Sequence, residues 1–213
     1  MLWKMSALHI TSISDPFLSA RSAWLGLQLV TRARTMGFLP PGIHGPVQLN
    51  GALLDGMKTC LSAVGLASAA TLQLDHAETP EQLEAALEHT IEAVDASPNP
   101  AGEWGPGREL LGDDLLGRLV GDISPASLRR YASGERATPD EVAWRLHVVA
   151  RLLAALLGSY NEYGIRRWFE RPRAALGSRT PAQVLEAAEN EDDAPLGAVI
   201  ALAERLRGAG AAA

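Results

Sequence analysis

The stretch TPDEVAWRLHVVARLLAALLG, residues 138–158, carries the strongest structural signal in this chain of 213 residues. Its apolar residues recur at alternating spacings of four and three, which is the period of one helix face. That face is formed by Val142, Leu146, Val149, Leu153, Leu156 and Tyr160. A second apolar side consists of Trp144, Val148, Leu152 and Leu157. A helix that is apolar on two sides belongs at the centre of a bundle or in a dimer interface.

Similar dipeptides mark helix starts along the rest of the chain. In each of them a Ser, Thr or Asp precedes Pro, so the first side chain can accept an orphan amide and the Pro occupies the first helical position. They are Asp15-Pro16, Thr79-Pro80, Ser124-Pro125, Thr138-Pro139 and Thr180-Pro181. Gln82, Glu141 and Gln183 would complete capping boxes at three of these starts. The repeated signal predicts an all-α fold.

The distribution of charge differs between the two halves of the chain. The net charge is −6, which excludes a generally basic nucleic-acid coat protein. Eight acidic residues and no Lys or Arg lie between Asp75 and Glu103, which indicates a solvated face or, alternatively, a docking surface for a basic partner. Eleven of the 17 Arg lie between Arg108 and Arg173. The negative total therefore does not exclude DNA as a partner of the second half.

The sequence ASPNPAGEWGPG, residues 96–107, is rich in Pro and Gly. Such composition is typical of loops, so we predict a linker over residues 97–107. A helical amino-terminal domain of unknown role is then expected over residues 1–96. The remaining chain divides into a helix-turn-helix at residues 108–137 and a helical segment at residues 138–213.

The helix-turn-helix is predicted from RELLGDDLLGRLVGDISPASLRRYASGER, residues 108–136. A first helix from Asp113 to about Val120, a turn at Gly121–Ile123 and a second helix opened by Ser124 give two short helices around a Gly-containing turn. Arg can bind guanine or phosphate and Ser can reach either, so the second helix supplies candidate DNA contacts. The candidates are Ser124, Ser127, Arg129, Arg130, Ser133 and Arg136. The alternative is a helical hairpin that binds no DNA.

Residues 108–136 contain five Arg and five acidic residues, so their net charge is zero. Because affinity for DNA depends on the number of phosphates that a protein neutralises, one copy alone would bind weakly. A homodimer that occupies two half-sites is therefore expected.

A string of residues follows the long helix: Trp168, Phe169, Pro172, Leu176, Gly177, Pro181, Val184 and Leu185. On physical grounds Trp168 and Phe169 supply buried area, Pro172 ends a helix and Gly177 can adopt a positive φ, so these four are predicted as scaffold. The better contact candidates, for an acidic protein rim or for DNA phosphate, are Arg166, Arg167, Arg171, Arg173 and Arg179.

With this string, residues from about Leu115 to Leu206 resemble the Xre/MbcA/ParS antitoxins of bacterial RES–Xre toxin–antitoxin pairs. The resemblance implies an antitoxin that is not an enzyme. Its helix-turn-helix binds the operator of its own operon, and its carboxy-terminal domain covers the active-site entrance of a RES-type toxin that consumes NAD. Residues 1–100 have no counterpart in that family, and Glu191–Leu196 replaces a Gly-containing segment before the last helix.

Other chemistry is not indicated by the sequence. It contains no Gly-rich phosphate loop, no G-x-S-x-G and no H-E-x-x-H, and its five His are scattered, so no catalytic residue, metal or cofactor is predicted. Residues 1–13 lack the pattern of a signal peptide, and no apolar run is long enough to span a membrane. The single cysteine, Cys60, fits a reducing cytoplasm.

Two other functions are compatible with these patterns. One is a stand-alone transcription regulator whose amino-terminal domain senses a ligand or a partner. The other is a protein-interaction adaptor that does not bind DNA, which the neutral helix-turn-helix favours.

Overall fold

The fold is described from a computed structural model, which covers residues 10–43 and 45–209. Residues 207–209 are described by their backbone alone. Within these residues the chain is all-α, as predicted, with ten helices and one pair of short strands. None of the described helices combines the length and the hydropathy needed to cross a bilayer. Residues 1–9, which form most of the segment considered for a signal peptide, lie outside the described residues.

The chain divides into two compact units. The first comprises the chain up to Arg34 together with Phe38–Ser97. The second comprises Thr35–Gly37 and the chain from Pro98 onward.

The first unit combines helices with a minimal sheet that the sequence did not predict. Strands β1 (Ile10–Ile13) and β2 (Val47–Leu49) pair in parallel. The helices are α1 (Ala20–Met36), α2 (Gly51–Ala63), α3 (Ser68–Asp75) and α4 (Pro80–Asp95). The predicted start at Asp15-Pro16 is wrong, since α1 begins at Ala20 and the amide of Ser22 donates to Ser19 Oγ at 2.9 Å.

The acidic face of α4 packs against α1 rather than facing only solvent. Arg32 is 2% exposed, and its guanidinium binds both carboxylate oxygens of Asp95, at 2.6 and 2.7 Å. Arg21 forms an ion pair with Glu88, and Ser19 Oγ donates to Glu84 at 2.6 Å. The predicted solvated face is thus in large part an internal contact of the first unit.

The second unit begins with α5 (Pro100–Leu119), so residues 100–107 are helical and not part of a linker as predicted. Pro100 occupies the first helical position, where no amide is needed. Trp104 is buried and its indole donates to Thr138 Oγ at 3.0 Å. A Cβ on Gly107 would lie 3.2 Å from Leu116, so this glycine permits close packing. Tertiary packing here overrides the low helix propensity of Gly and Pro.

Helix α7 (Asp140–Leu156) is the centre of the second unit, where it packs against α5 and α10. Both of its predicted apolar sides face the core of this chain, with Trp144 only half-buried. The other helices are α6 (Pro125–Ala132), α8 (Glu162–Glu170), α9 (Pro181–Ala187) and α10 (Ala194–Ala209), and a 3-10 turn covers Ala174–Leu176. Of the two positions that the sequence allowed, the bundle centre is the one observed.

The predicted caps form at three of the five starts. Thr79 and Thr180 make complete capping boxes, and Ser124 Oγ accepts from the amide of Ser127 at 3.2 Å. The prediction of a capping box at Thr138 is wrong. Its hydroxyl accepts a hydrogen bond from the Trp104 indole, and α7 begins without a side-chain cap.

Candidate nucleic-acid and partner interfaces

Helices α5 and α6 are joined by a tight turn after Val120. Gly121 and Asp122 have φ of +113° and +55°, in the left-handed region that favours glycine. The amide of Ile123 donates to the Gly117 carbonyl at 3.0 Å, which folds the turn back onto α5. The second half of α5 and α6 therefore form the two short helices that the sequence predicted around Gly121.

Helix α6 has one buried side and one exposed side, as its period predicts. Leu128 and Tyr131 are buried in the core of the second unit, and the Tyr131 ring stacks on Trp104 with centroids 6.0 Å apart. Arg129, Arg130 and Ser133 are exposed. The core thus fixes the direction in which the two arginines project.

The centre of the exposed side of α6 carries only small side chains. Ala126 and Ser133, seven residues apart, lie on one line between Arg129 and Arg130, and all four are exposed. Small side chains between two arginines allow the helix backbone to approach a groove closely while the guanidinium groups reach to either side.

The other predicted DNA contacts have partners within the protein. Ser124 caps α6, and its hydroxyl also donates to Ser127 Oγ at 3.1 Å. Ser127 is half-buried. The Arg136 guanidinium lies over the Tyr131 ring at 5.5 Å, and Arg130 forms an exposed ion pair with Glu135 at 3.2 Å. Exposed ion pairs are weak, so Arg130 is available to a competing phosphate.

The carboxylate of Asp113, where the second half of α5 begins, forms an acidic edge beside α6. Hydrogen bonding from Arg108, at 2.8 and 3.1 Å, holds the pKa of Asp113 below its usual value, against the effect of burial. The charge of Arg129 lowers the same pKa, so Arg129 and Asp113 interact. This carboxylate therefore offsets part of the positive charge beside α6.

Arg166 has a structural position that the sequence did not reveal. Helix α5 is broken at Gly112, where φ is +74° and ψ is 163°. The Arg166 guanidinium donates to the Leu111 carbonyl on one side of the break. It also binds Asp114 on the other side, at 3.0 Å from Oδ2. Arg166 was predicted as a partner contact. Its bond to the Leu111 carbonyl could not be predicted, because that carbonyl becomes available only through the break in α5.

The exposed side of α8 carries the remaining contact candidates of that helix. Tyr163 is 67% exposed, and the Arg167 guanidinium lies 5.8 Å from the centre of its ring. Arg171 is exposed one turn further on. Within the described part of the chain neither Arg167 nor Arg171 forms an ion pair shorter than 4.0 Å. Tyr163 was missed by the sequence reasoning, although its spacing of four from Arg167 is visible.

The rest of the string forms the scaffold around α8. Trp168 and Phe169 are buried and meet edge to face at 5.1 Å, and Gly177 has a φ of +63°. Pro172 lies just beyond the end of α8. Arg173 is half-buried over the Trp168 ring at 5.7 Å. Arg179 is exposed, and its Nε donates to the Leu176 carbonyl at 3.4 Å.

A cleft of about 510 Å³ adjoins the turn between α5 and α6. It is lined by Arg118, Gly121, Asp122, Arg145 and Glu186. Arg118 pairs with Glu186 at 2.8 Å, and Arg145 donates to the Leu185 carbonyl at 2.7 Å. Burial lowers the pKa of Arg145, which Glu141 and Asp193 oppose. With two cations and two anions, the lining selects no one class of ligand.

One buried ionisable pair lies in the second unit. Glu103 Oε1 lies 2.6 Å from His147 Nδ1, and Glu103 Oε2 has no hydrogen-bond partner among the described residues. The two residues lie on α5 and α7 in the core, and neither lines the cleft beside the α5–α6 turn. In the same part of the chain, no three His, Cys, Asp or Glu side chains are grouped so as to hold a metal ion.

No protein-family model matches the chain, and no match is found among curated proteins or solved structures. Functional inference therefore depends on the geometry above and on the motif string.

Proposed function

We propose that this protein is a cytoplasmic, non-enzymatic antitoxin that binds DNA as a homodimer and represses its own operon. In this proposal α6 binds operator DNA, and the segment around α8 covers the active site of a RES-type toxin that consumes NAD. The observation that carries it is the exposed Arg129–Arg130 face of α6, whose direction is set by the burial of Leu128 and Tyr131. The antitoxin-like string follows in the same unit, after α7.

The DNA-binding part is supported by the shape and charge of α6. Its small central residues permit close approach, and neither arginine is held in a buried ion pair among the described contacts. The acidic edge at Asp113 limits what one copy can bind, which favours two copies on two half-sites.

The partner-binding part is supported by Tyr163, Arg167 and Arg171. Tyr and Arg are the residue types that dominate the binding energy of protein interfaces. An exposed aromatic ring stacked with a guanidinium, next to a second exposed arginine, suits an acidic rim on a partner. Arg166, Arg173 and Arg179 contribute less to that surface, since each is engaged within the protein.

DNA binding is tested with the duplex that lies upstream of the protein's own reading frame. The double variant Arg129→Ala/Arg130→Ala should bind more weakly, and the slope of log K against log salt should fall by about 0.9 for each phosphate that is no longer neutralised. The matched control is Arg21→Ala/Arg205→Ala, which removes two exposed arginines elsewhere. Equal affinity and slope for both double variants would contradict a role of α6 in DNA binding.

Toxin neutralisation is tested by co-expression with a RES-type protein encoded beside this chain, with growth and cellular NAD as readouts. The wild-type chain should restore both, and Arg167→Ala/Arg171→Ala should restore them less than Arg21→Ala/Arg205→Ala does. Toxicity that is the same with and without this chain would overturn the antitoxin function.

The two alternative functions predict different outcomes of these tests. The acidic edge and the Arg130–Glu135 pair favour an adaptor that binds no DNA, and the α6 variants decide between them. A stand-alone regulator, whose amino-terminal domain would sense a ligand or a partner, predicts DNA binding without neutralisation of a toxin.

A further inference from the structure

The break in α5 separates two helical segments with different roles. The segment before Gly112 carries Trp104 and Leu110 into the core, and the segment after it is the first helix of the proposed helix-turn-helix. A Cβ on Gly112 would displace the side chains that meet there, because it would lie 2.6 Å from Arg166 Nη1 and 2.8 Å from Asp114 Oδ1.

One guanidinium joins the two segments across this break. Arg166 binds the Leu111 carbonyl before it and the Asp114 carboxylate after it. Burial raises the pKa of Asp114, but hydrogen bonds from the Leu115 amide and from Arg166 outweigh this and lower it. The carboxylate is therefore held in its charged form at the start of the second segment.

Arg166 is itself fixed by the helix that bears it. Its neighbours Ile165, Trp168 and Phe169 are buried in the core of the second unit, and this burial fixes α8. The position of α8 in turn fixes the origin of the Arg166 side chain. A hydrogen-bond fork that spans a carbonyl and a carboxylate suits Arg and not Lys, whose ammonium is a single point of charge.

We infer that Arg166 is a positioning residue for DNA binding: from α8, it sets the orientation of the second half of α5 and thereby of α6. The inference rests on the proposed DNA-binding function. It links α8, in the segment proposed to bind the toxin, to the second half of α5, in the segment proposed to bind the operator, through one side chain that is engaged within the protein.

The experiment compares Arg166→Ala, Arg166→Lys and the control Arg205→Ala, which removes an exposed arginine of α10, in the full-length protein. Binding to the duplex upstream of the reading frame should weaken about tenfold in Arg166→Ala, within the ~5–150-fold range of couplings between sites. Arg166→Lys should be intermediate, and Arg205→Ala should match the wild type. The salt slope should not change, because Arg166 contacts no phosphate. A reduced slope in Arg166→Ala would overturn the inference, since it would make Arg166 a direct DNA contact.

Hydrogen exchange of the backbone amides separates this inference from the proposed function. In Arg166→Ala the amides of residues 113–119 should exchange faster, while those in α7 keep the wild-type rate. Unchanged exchange in residues 113–119 would overturn the positioning role, and so would an equal acceleration in α7, which indicates general destabilisation. If the wild-type protein binds no duplex, the proposed function fails, whereas hydrogen exchange still decides whether Arg166 holds the break.

Discussion

At the level of single side chains, Asp113 opposes the function proposed for its neighbour. Its carboxylate is bound by Arg108 and also interacts with the charge of Arg129, the arginine on the side of α6 nearest to α5. A carboxylate at this position weakens the attraction between Arg129 and a phosphate group. The effect is modest, because both side chains are in contact with water.

Asp113→Asn should raise the affinity for DNA about two- to fivefold, since exposed charge pairs contribute roughly 0.2–1 kcal/mol. Fluorescence anisotropy with a labelled duplex at fixed salt measures the change. Asp192→Asn, in the exposed loop before α10, is the matched control because it alters the net charge equally. An equal gain in both variants would show that only total charge matters.

The burial and exposure that the sequence predicted correctly are those set by helical periodicity. The spacing of Leu128 and Tyr131 was sufficient to place Arg129 and Arg130 on the outside. The roles that were missed depend on tertiary contacts: Arg166 binds a carbonyl at a helix break, and Arg145 binds carbonyls at the end of α9. No local pattern marks a side chain that acts across the fold.

At the level of elements, α5 shows where local signals mislead. Its Pro and Gly residues predict a loop, yet burial of Trp104, Leu110 and Leu111 keeps residues 100–111 helical. The interruption that does occur is at Gly112, where the chain adopts a positive φ. The capping signals at Thr79, Ser124 and Thr180 were correct, whereas the equally local signal at Thr138 failed because its hydroxyl accepts a hydrogen bond from the Trp104 indole.

Gly112→Ala should destabilise the protein by about 1–3 kcal/mol, because alanine is strained at a positive φ and its Cβ would displace Arg166. Gly197→Ala is the matched control, since Gly197 lies inside α10 with open space around it. That substitution should stabilise by roughly 0.5–1 kcal/mol. Urea unfolding of both variants tests the opposite signs, and a neutral Gly112→Ala would contradict the geometry of the break.

At the level of the whole molecule, the negative charge is unevenly divided. Residues 98–213 contain 14 Arg and 16 acidic residues, a net charge of −2. The remaining −4 of the total of −6 belongs to residues 1–97. The pairing of α4 with α1 accounts for part of that acidity within the first unit.

Removal of residues 1–97 should tighten DNA binding, because the fragment has a net charge of −2 in place of −6 and repels phosphate less. Anisotropy titrations at two salt concentrations measure this, after circular dichroism has shown that the fragment keeps its helices. The gain should shrink at high salt, where screening reduces long-range repulsion. Unchanged affinity at low salt would show that the first unit does not act through its charge.

In the proposed DNA-binding function, the length of α6 limits how much sequence one copy of the protein can recognise. Eight residues extend about 12 Å, close to the width of the major groove. If its two exposed arginines each specify one guanine, a single helix selects only about one site in sixteen. A genome offers on the order of 10⁶–10⁹ competing sites. The specificity needed to find one promoter would then have to come from several copies of the protein, each of which binds one short sequence at a fixed spacing from the next.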